Sequence, residues 1–437
     1  MERDRQIDLV RGLAIVMVVV GHWLAIHVTH DGGRYQGGSV LELVPWTHPL
    51  TWVFQVMPLF FLVGGYANAA SLRSHVRRGG NAAGWALGRA VRLVWPTTVL
   101  VCVLAAAALT ARAAGADPGL VGTAVWLATI PLWFLVAYLA VVFLTPFMYA
   151  LHRRAGLAVP VGLAAVVGLV DLARLGFGVP YIGTANYLLA WLAVHQTGFV
   201  MRDGGLPSRW GIPMAAGGVA ALVLLTVPGP YPVSMVGIGG EQNQNTAPPT
   251  LALLALAVAQ TGIVLATREP ARRWLRRPRP WAAVVAVNSV VLTLFLWHMT
   301  AAVIGVLLLY GTGALPPAAP VSPLWLALRV PWLATLALIL AALVAAFGRF
   351  ERRAALAGAA VPAVRGPVPT ALIVTGAASV VAGLLAVALS GPARDGPLGL
   401  PPGVFVYFGG VFLLAALRRR HSLPQAGARA PGEERAG

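Results

Sequence analysis

What most constrains this chain is a succession of apolar stretches, most of them near the roughly 20 residues that a helix needs to cross a bilayer. Twelve can be marked, at residues 7–28, 49–72, 91–111, 124–149, 157–173, 184–201, 210–228, 250–267, 282–309, 324–347, 368–390 and 402–417. The pattern predicts an all-α fold, a polytopic transmembrane helical bundle of about 10–12 helices. The first stretch has the position of a signal peptide. It lacks a small-residue cleavage site and carries Arg11 and His22, so it is read as a helix that stays.

Of 437 residues, 58% are hydrophobic and 11% charged, against about 45–50% apolar and about 25% charged in soluble domains. This excludes a water-soluble globular domain and a disordered chain. The single cysteine, Cys102, lies in an apolar run and excludes a disulfide scaffold. All 32 basic residues are arginine, and the formal charge is +18. In a soluble protein that charge points to nucleic acid. Here the arginines fall between apolar runs, as cytoplasmic anchors do, so the expected partner is the lipid bilayer and not nucleic acid.

With the N-terminus in the cytoplasm and each span crossing once, Arg34, Arg112, Arg174, Arg329 and Arg394 fall on the outer side. The other arginines fall inside, in connections such as 73–92, 152–154, 202–209, 268–279 and 349–365. The expectation is a multi-pass integral membrane protein with a cytoplasmic N-terminus. The longest outer connections are 29–48 and 229–249. Pro248 and Pro249 are expected to open the helix after the second, with Thr246 as its cap.

Ionisable groups within a bilayer are costly and tend to face a cavity or a partner. The first span carries Asp8, Arg11 and His22; later spans carry Asp171 with Arg174, His195 with Gln196, and Asn288 with His298. Arg11 and His22 are eleven residues apart, about 1100° of helix, so they share a face roughly 16 Å apart along the axis. Asp8 lies one turn before Arg11 and can pair with it. Two readings stand for each residue. Arg11 is a snorkelling anchor or a ligand contact, and His22 is a partner for a neighbouring helix or a general base.

The stretch RQIDLVRGLAIVMVVVGH, Arg5 to His22, resembles the opening helix of the acyltransferase-3 family of integral membrane acyltransferases, whose hallmark is an Arg, ten residues and a His. Arg11 and His22 match it. In order, PLFFLVGGY (Pro58–Tyr66) looks like the family's Phe-Phe-x-x-Ser-Gly segment, and RAVRLVWP (Arg89–Pro96) its Arg-x-x-Arg cytoplasmic motif. PLWFL (Pro131–Leu135) resembles its fourth-helix Trp motif, and FLWH (Phe295–His298) its late Tyr-Leu-x-His segment. Gly64 stands where the family has Ser, while Gly65 keeps the close-packing position. The family core has about ten helices. The resemblance therefore implies a membrane acyltransferase core over residues 1–350, extra transmembrane helices over 351–417, and a basic cytoplasmic tail, expected to be disordered, over 418–437.

The resemblance implies an O-acyltransferase of the bacterial plasma membrane. It would move an acyl group, acetyl above all, from cytoplasmic acyl-CoA to a hydroxyl of a sugar, glycolipid, exopolysaccharide or exported metabolite. Arg89 and Arg92, at i and i+3, suit a forked clamp on CoA phosphates; Arg73, Arg77 and Arg78 read better as anchors. His22 is the candidate base, with Arg11 orienting the cofactor or, through Asp8, holding its own helix. His298 is a candidate for acceptor binding or proton relay, and Trp133 and Tyr138 for cavity wall. Glu241, Gln242, Asn243 and Asn245 could meet a sugar or form a solvated loop. Metal-ligand spacings, phosphate-cradling Gly-Lys loops and nucleophile elbows are absent from the sequence, so no metal and no tightly bound cofactor are expected; acyl-CoA is a co-substrate. The rival reading is a twelve-helix transporter or glycolipid flippase, against which the sequence offers no internal repeat.

Overall fold

The computed structural model describes residues 4–31, 34–316, 318–359, 361, 363–391 and 401–422. The chain opens with α1 (Arg5–Ala25), turns through a hairpin of β1 (Ile26–Asp31) and β2 (Arg34–Ser39), and passes two short helices, α2 (Val40–Leu43) and α3 (Thr51–Phe54). Then follow α4 (Met57–Arg77), α5 (Ala82–Ala113), α6 (Pro118–Thr129), α7 (Leu132–Ala155), α8 (Ala158–Asp171), α9 (Asn186–Arg202) and α10 (Gly211–Thr226). The last third holds α11 (Leu251–Ala266), α12 (Arg268–Trp274), α13 (Pro278–Asn288), α14 (Val291–Leu309), α15 (Pro323–Ala359), α16 (Pro367–Leu389) and α17 (Gly403–Ser422). The protein is an all-α polytopic bundle. Helices suit these apolar runs because a helix satisfies its own backbone hydrogen bonds where no water can.

Among the described residues nine helical stretches are long and apolar enough to cross a membrane, and ten if α11 and α12, bent by 52°, form one span. The twelve sequence stretches all fall on helices. Two lie outside that set: 184–201 on the 17-residue α9, and 402–417 on α17. In α9, Asn186, His195 and Gln196 are fully buried, so protein rather than lipid covers its polar groups. The first stretch ends early, at Ala25, where the chain turns extended. The cap of α11 is Thr250, which accepts from the Leu253 amide, and not Thr246. Residues 418–422, expected to be disordered, continue α17; Arg394 and 423–437 lie outside the described residues, as does the side chain of Arg34.

α1 runs through the bundle in contact with α4, α13, α14 and α15. Against α4 packs α9, at a crossing where small residues let backbones touch. A Cβ on Gly65 would run into the His195 carbonyl, and one on Gly198 into the Leu62 carbonyl. Between α13 and α14 the chain breaks at Ser289–Val290. The Glu351 carboxylate of α15 caps the new helix, accepting from the amides of Leu292 (3.1 Å) and Thr293 (2.8 Å) and from the Thr293 hydroxyl (2.7 Å). This supplies donors that a helix start leaves unpaired. α16 and α17 form a hairpin packed through Gly376, Gly383 and Gly410. It is fastened to α5 by the Tyr407 hydroxyl, 2.8 Å from Thr98 Oγ1 and donating to the Val94 carbonyl at 3.2 Å.

Candidate active site

α1 carries Arg11 and His22 to two different environments, about 16 Å apart along its axis. At its C-terminal end, His22 Nδ1 lies 2.8 Å from His298 Nε2. The two rings are tilted by only 5°, with centroids 5.0 Å apart, so the nitrogens meet edge to edge. His298 Nδ1 in turn lies 2.7 Å from the Phe295 carbonyl. A carbonyl only accepts, so in a neutral ring that Nδ1 carries the hydrogen and Nε2 accepts. His22 Nδ1–H is then the donor to His298, and His22 Nε2 keeps its lone pair. The hydrogen-bond network thus assigns both tautomers.

Neutral groups and one cation hold this end of α1. The Trp23 indole donates to the His298 carbonyl (3.0 Å), and the Trp332 indole donates to the Trp23 carbonyl (2.9 Å). Arg329, only 7% exposed, donates through Nη1 to the Ile26 carbonyl at 3.0 Å and lies over the Trp325 ring at 4.0 Å. The last carbonyls of a helix lack internal partners, and a cation there also suits the helix dipole. His22 therefore sits on a helix end whose position relative to α14 and α15 is fixed by directed bonds.

The other end of α1 borders a cavity of about 1320 Å³, lined by Arg5, Arg11, Arg89, Arg92, Arg202, Arg268, Arg272 and Arg276. Among the described residues three carboxylates, Asp4, Asp8 and Glu351, share that wall. Arg11 Nη1 stands 3.3 Å from Asp8 Oδ1 and 3.4 Å from Asn288 Oδ1. Asn288 also donates to the Asp8 carbonyl at 2.8 Å, so the triad ties α1 to α13. Arg89 lies over the Trp85 ring at 5.5 Å, and its buried Nε meets no acceptor among the described residues. Arg92 is exposed along the same wall. Phe60, Phe134, Tyr138 and Phe295 add an aromatic wall. Phe134 and Phe295 meet edge to face at 5.1 Å, and His298 lies one helical turn past Phe295.

Gly64 has a packing reason. A Cβ there would stand 2.8 Å from the Tyr138 ring and 3.0 Å from its hydroxyl. The space beside this glycine is filled by a tyrosine from α7.

The structure brings His22 and His298 together, and separately Asp8, Arg11, Arg89 and Arg92. Trp133 is not among the cavity-lining residues; it packs edge-on against Phe134, with centroids 6.3 Å apart. His195, fully buried, meets the Asn68 amide at 3.1 Å. Arg73 pairs with Asp203 at 2.9 Å. The Asn245 amide is engaged inside its own loop, donating to the carbonyls of Pro232 (2.7 Å) and Ser234 (2.9 Å). Sequence reasoning missed Glu351 and the fastening role of Asn288. Glu351 had a signal, since only 14 acidic residues occur in the chain and this one follows an apolar run.

The fold is that of a multi-pass membrane protein, with a pair of bonded imidazoles at one end of α1 and an arginine-rich cavity at the other. Residues 4–351 match the acyltransferase-3 family, described as an acyltransferase domain, and the chain belongs to that family. It is an integral membrane acyltransferase. α16 and α17 lie beyond the match. No curated protein and no solved structure matches the chain.

Proposed function

We propose that this protein moves an acyl group from cytoplasmic acyl-CoA to a hydroxyl of a sugar, glycolipid or exported metabolite, with His22 as general base. The observation that carries the reading is the pairing, on one helix, of the His22–His298 couple with the arginine-lined cavity. CoA is a polyanion on a long thin arm. From its diphosphate to its sulfur the pantetheine arm has roughly a dozen bonds, about 15 Å when extended by standard covalent dimensions. The rise from Arg11 to His22 is about 16 Å. Phosphates held at Arg11, Arg89 and Arg92 thus suit a thioester near His22. The arginine-rich side faces the cytoplasm under the positive-inside rule, and the acceptor approaches His22 from the other side.

In this reading His22 Nε2 takes the proton of the acceptor hydroxyl as its oxygen attacks the thioester carbonyl. The carbon–sulfur bond of the tetrahedral intermediate then breaks, and the departing CoA thiolate recovers the proton from Nε2. His298 accepts from His22 Nδ1–H throughout, which keeps Nε2 free to act and shares the charge of the imidazolium. Such general-base assistance contributes about 10²–10⁴-fold. Arg11, engaged with Asp8 and Asn288, holds α1 while facing the donor.

The first test is CoA and acetyl-CoA binding to the purified protein in lipid nanodiscs, beside Arg89→Ala and Arg73→Ala. It needs no acceptor. Saturable binding that Arg89→Ala weakens and Arg73→Ala leaves intact supports the donor site. Absence of binding by the folded wild type overturns it.

A further inference from the structure

Beyond the proposed clamp at Arg11, Arg89 and Arg92, and Arg5, which donates to the Leu275 carbonyl at 2.7 Å, four of the eight cavity arginines remain. Arg202 closes α9, and Arg268, Arg272 and Arg276 follow at intervals of four along α12 and just past it. Residues four apart share a helix face, and all three line the same cavity. At the centre of this rim stands Asp4. Its Oδ2 lies 3.7 Å from Arg268 Nη2 and 3.6 Å from Arg272 Nη2, and it accepts from the Tyr66 hydroxyl at 3.0 Å. Arg202 lies over that tyrosine ring at 5.5 Å. Arg272 also reaches Glu269 at 3.6 Å. The buried Nε of Arg268 meets no acceptor among the described residues. Among the described residues this part of the cavity thus sets four arginines around one carboxylate, Asp4, which pairs with two of them, and the excess positive charge fits a further phosphate.

Asp4 precedes Arg11 by seven residues, about 10 Å of helix. The cavity therefore has two tiers of arginine, an inner one at Arg11, Arg89 and Arg92 and a rim around Asp4. Free CoA also carries its charge in two clusters: the diphosphate next to the pantetheine, and the 3′-phosphate on the adenosine ribose. A phosphopantetheine arm carried on a protein has a single phosphodiester and lacks the second cluster. We infer that the rim arginines bind the 3′-phosphate of the donor, making Arg268 and Arg272 specificity-determining residues that select a CoA thioester over a carrier-protein thioester. The inference rests on the acyl-CoA reading above.

The test compares CoA with 3′-dephospho-CoA by calorimetry, using the full chain in phosphatidylcholine nanodiscs. The wild type is expected to prefer CoA by about tenfold or more. The double variant Arg268→Gln, Arg272→Gln is expected to bind both ligands equally, with its affinity for dephospho-CoA retained. Equal affinities in the wild type overturn the inference and leave the donor site standing; no binding of either ligand overturns the donor site itself. A double variant that weakens both ligands alike also overturns the inference. Should the double variant fail to fold, displacement from the wild type decides: adenosine 3′,5′-bisphosphate must compete with CoA about tenfold better than adenosine 5′-monophosphate. Adding phosphatidylglycerol to the nanodiscs must leave the preference intact. If anionic lipid abolishes it, the rim is a lipid-headgroup site and the inference falls.

Discussion

The two ends of α1 make opposite use of polar groups. At the His22 end, each donor aimed at the couple has one acceptor: Trp23 meets the His298 carbonyl, His298 meets the Phe295 carbonyl, and His22 meets His298. At the Arg11 end, eight arginines and three carboxylates among the described residues line about 1320 Å³ of space. A network of matched neutral bonds fixes geometry, because a buried donor left unmatched is costly. A roomy wall with more cations than carboxylates fixes less and attracts anions. One helix thus joins a part built for position to a part built for charge, and substitutions at the two ends should separate turnover from donor affinity.

The largest separation is expected from His22→Ala. Acyl incorporation into the membrane and exported fractions of cells should fall by about 10²–10⁴-fold, while CoA affinity stays within twofold of wild type. Comparable loss of CoA binding would merge the two ends and break the comparison. Arg89→Ala is the converse. Charge-assisted hydrogen bonds are worth about 1.5–3 kcal/mol, so CoA affinity measured by calorimetry should fall about 10–100-fold. Turnover at saturating donor should change far less.

His298→Gln sharpens the assignment within the outer end. Glutamine can still hydrogen-bond His22, but it cannot fix the tautomer through the Phe295 carbonyl in the same way. Turnover should fall about tenfold, in line with about 1–3 kcal/mol for a mismatched buried polar group, with donor KM unchanged. Trp332→Phe keeps a ring and removes the donor to the Trp23 carbonyl. One neutral hydrogen bond contributes about 1 kcal/mol net, so about fivefold in turnover is expected, again without a change in CoA affinity. A shift in KM instead would show that the Trp23–Trp332 link serves the cavity.

Helical class, membrane location and the alignment of Arg11 with His22 were legible in the sequence, because bilayer thickness and helical pitch act on local spacing. The Asp8–Arg11 pair was legible for the same reason. Contacts formed across hundreds of residues were not. The His22–His298 couple joins the first helix to α14, and Glu351 reaches back to the start of α14 from α15. Motif resemblance placed both histidines at the site but not in contact. The rim arginines read as topological anchors, since nothing local distinguishes an arginine facing headgroups from one turned into a cavity. Gly64 read as a lost hydroxyl; only the approach of Tyr138 gives it a packing reason.

The C-terminal hairpin bears on the charged end through α5. Tyr407 of α17 reaches Thr98 and the Val94 carbonyl on α5, about half a turn to two and a half turns past Arg89 and Arg92. That bond cannot influence the histidine couple except through the whole bundle, but it does set how firmly α5 presents its two arginines. Tyr407→Phe removes one neutral hydrogen bond, worth about 1 kcal/mol, and only part of that strain is passed to the cavity. CoA affinity is therefore expected to fall by less than about threefold, with turnover at saturating donor unchanged. A drop beyond tenfold would mean that the helices outside the family match hold the donor site in shape. No change at all would assign them to anchoring the chain in the bilayer.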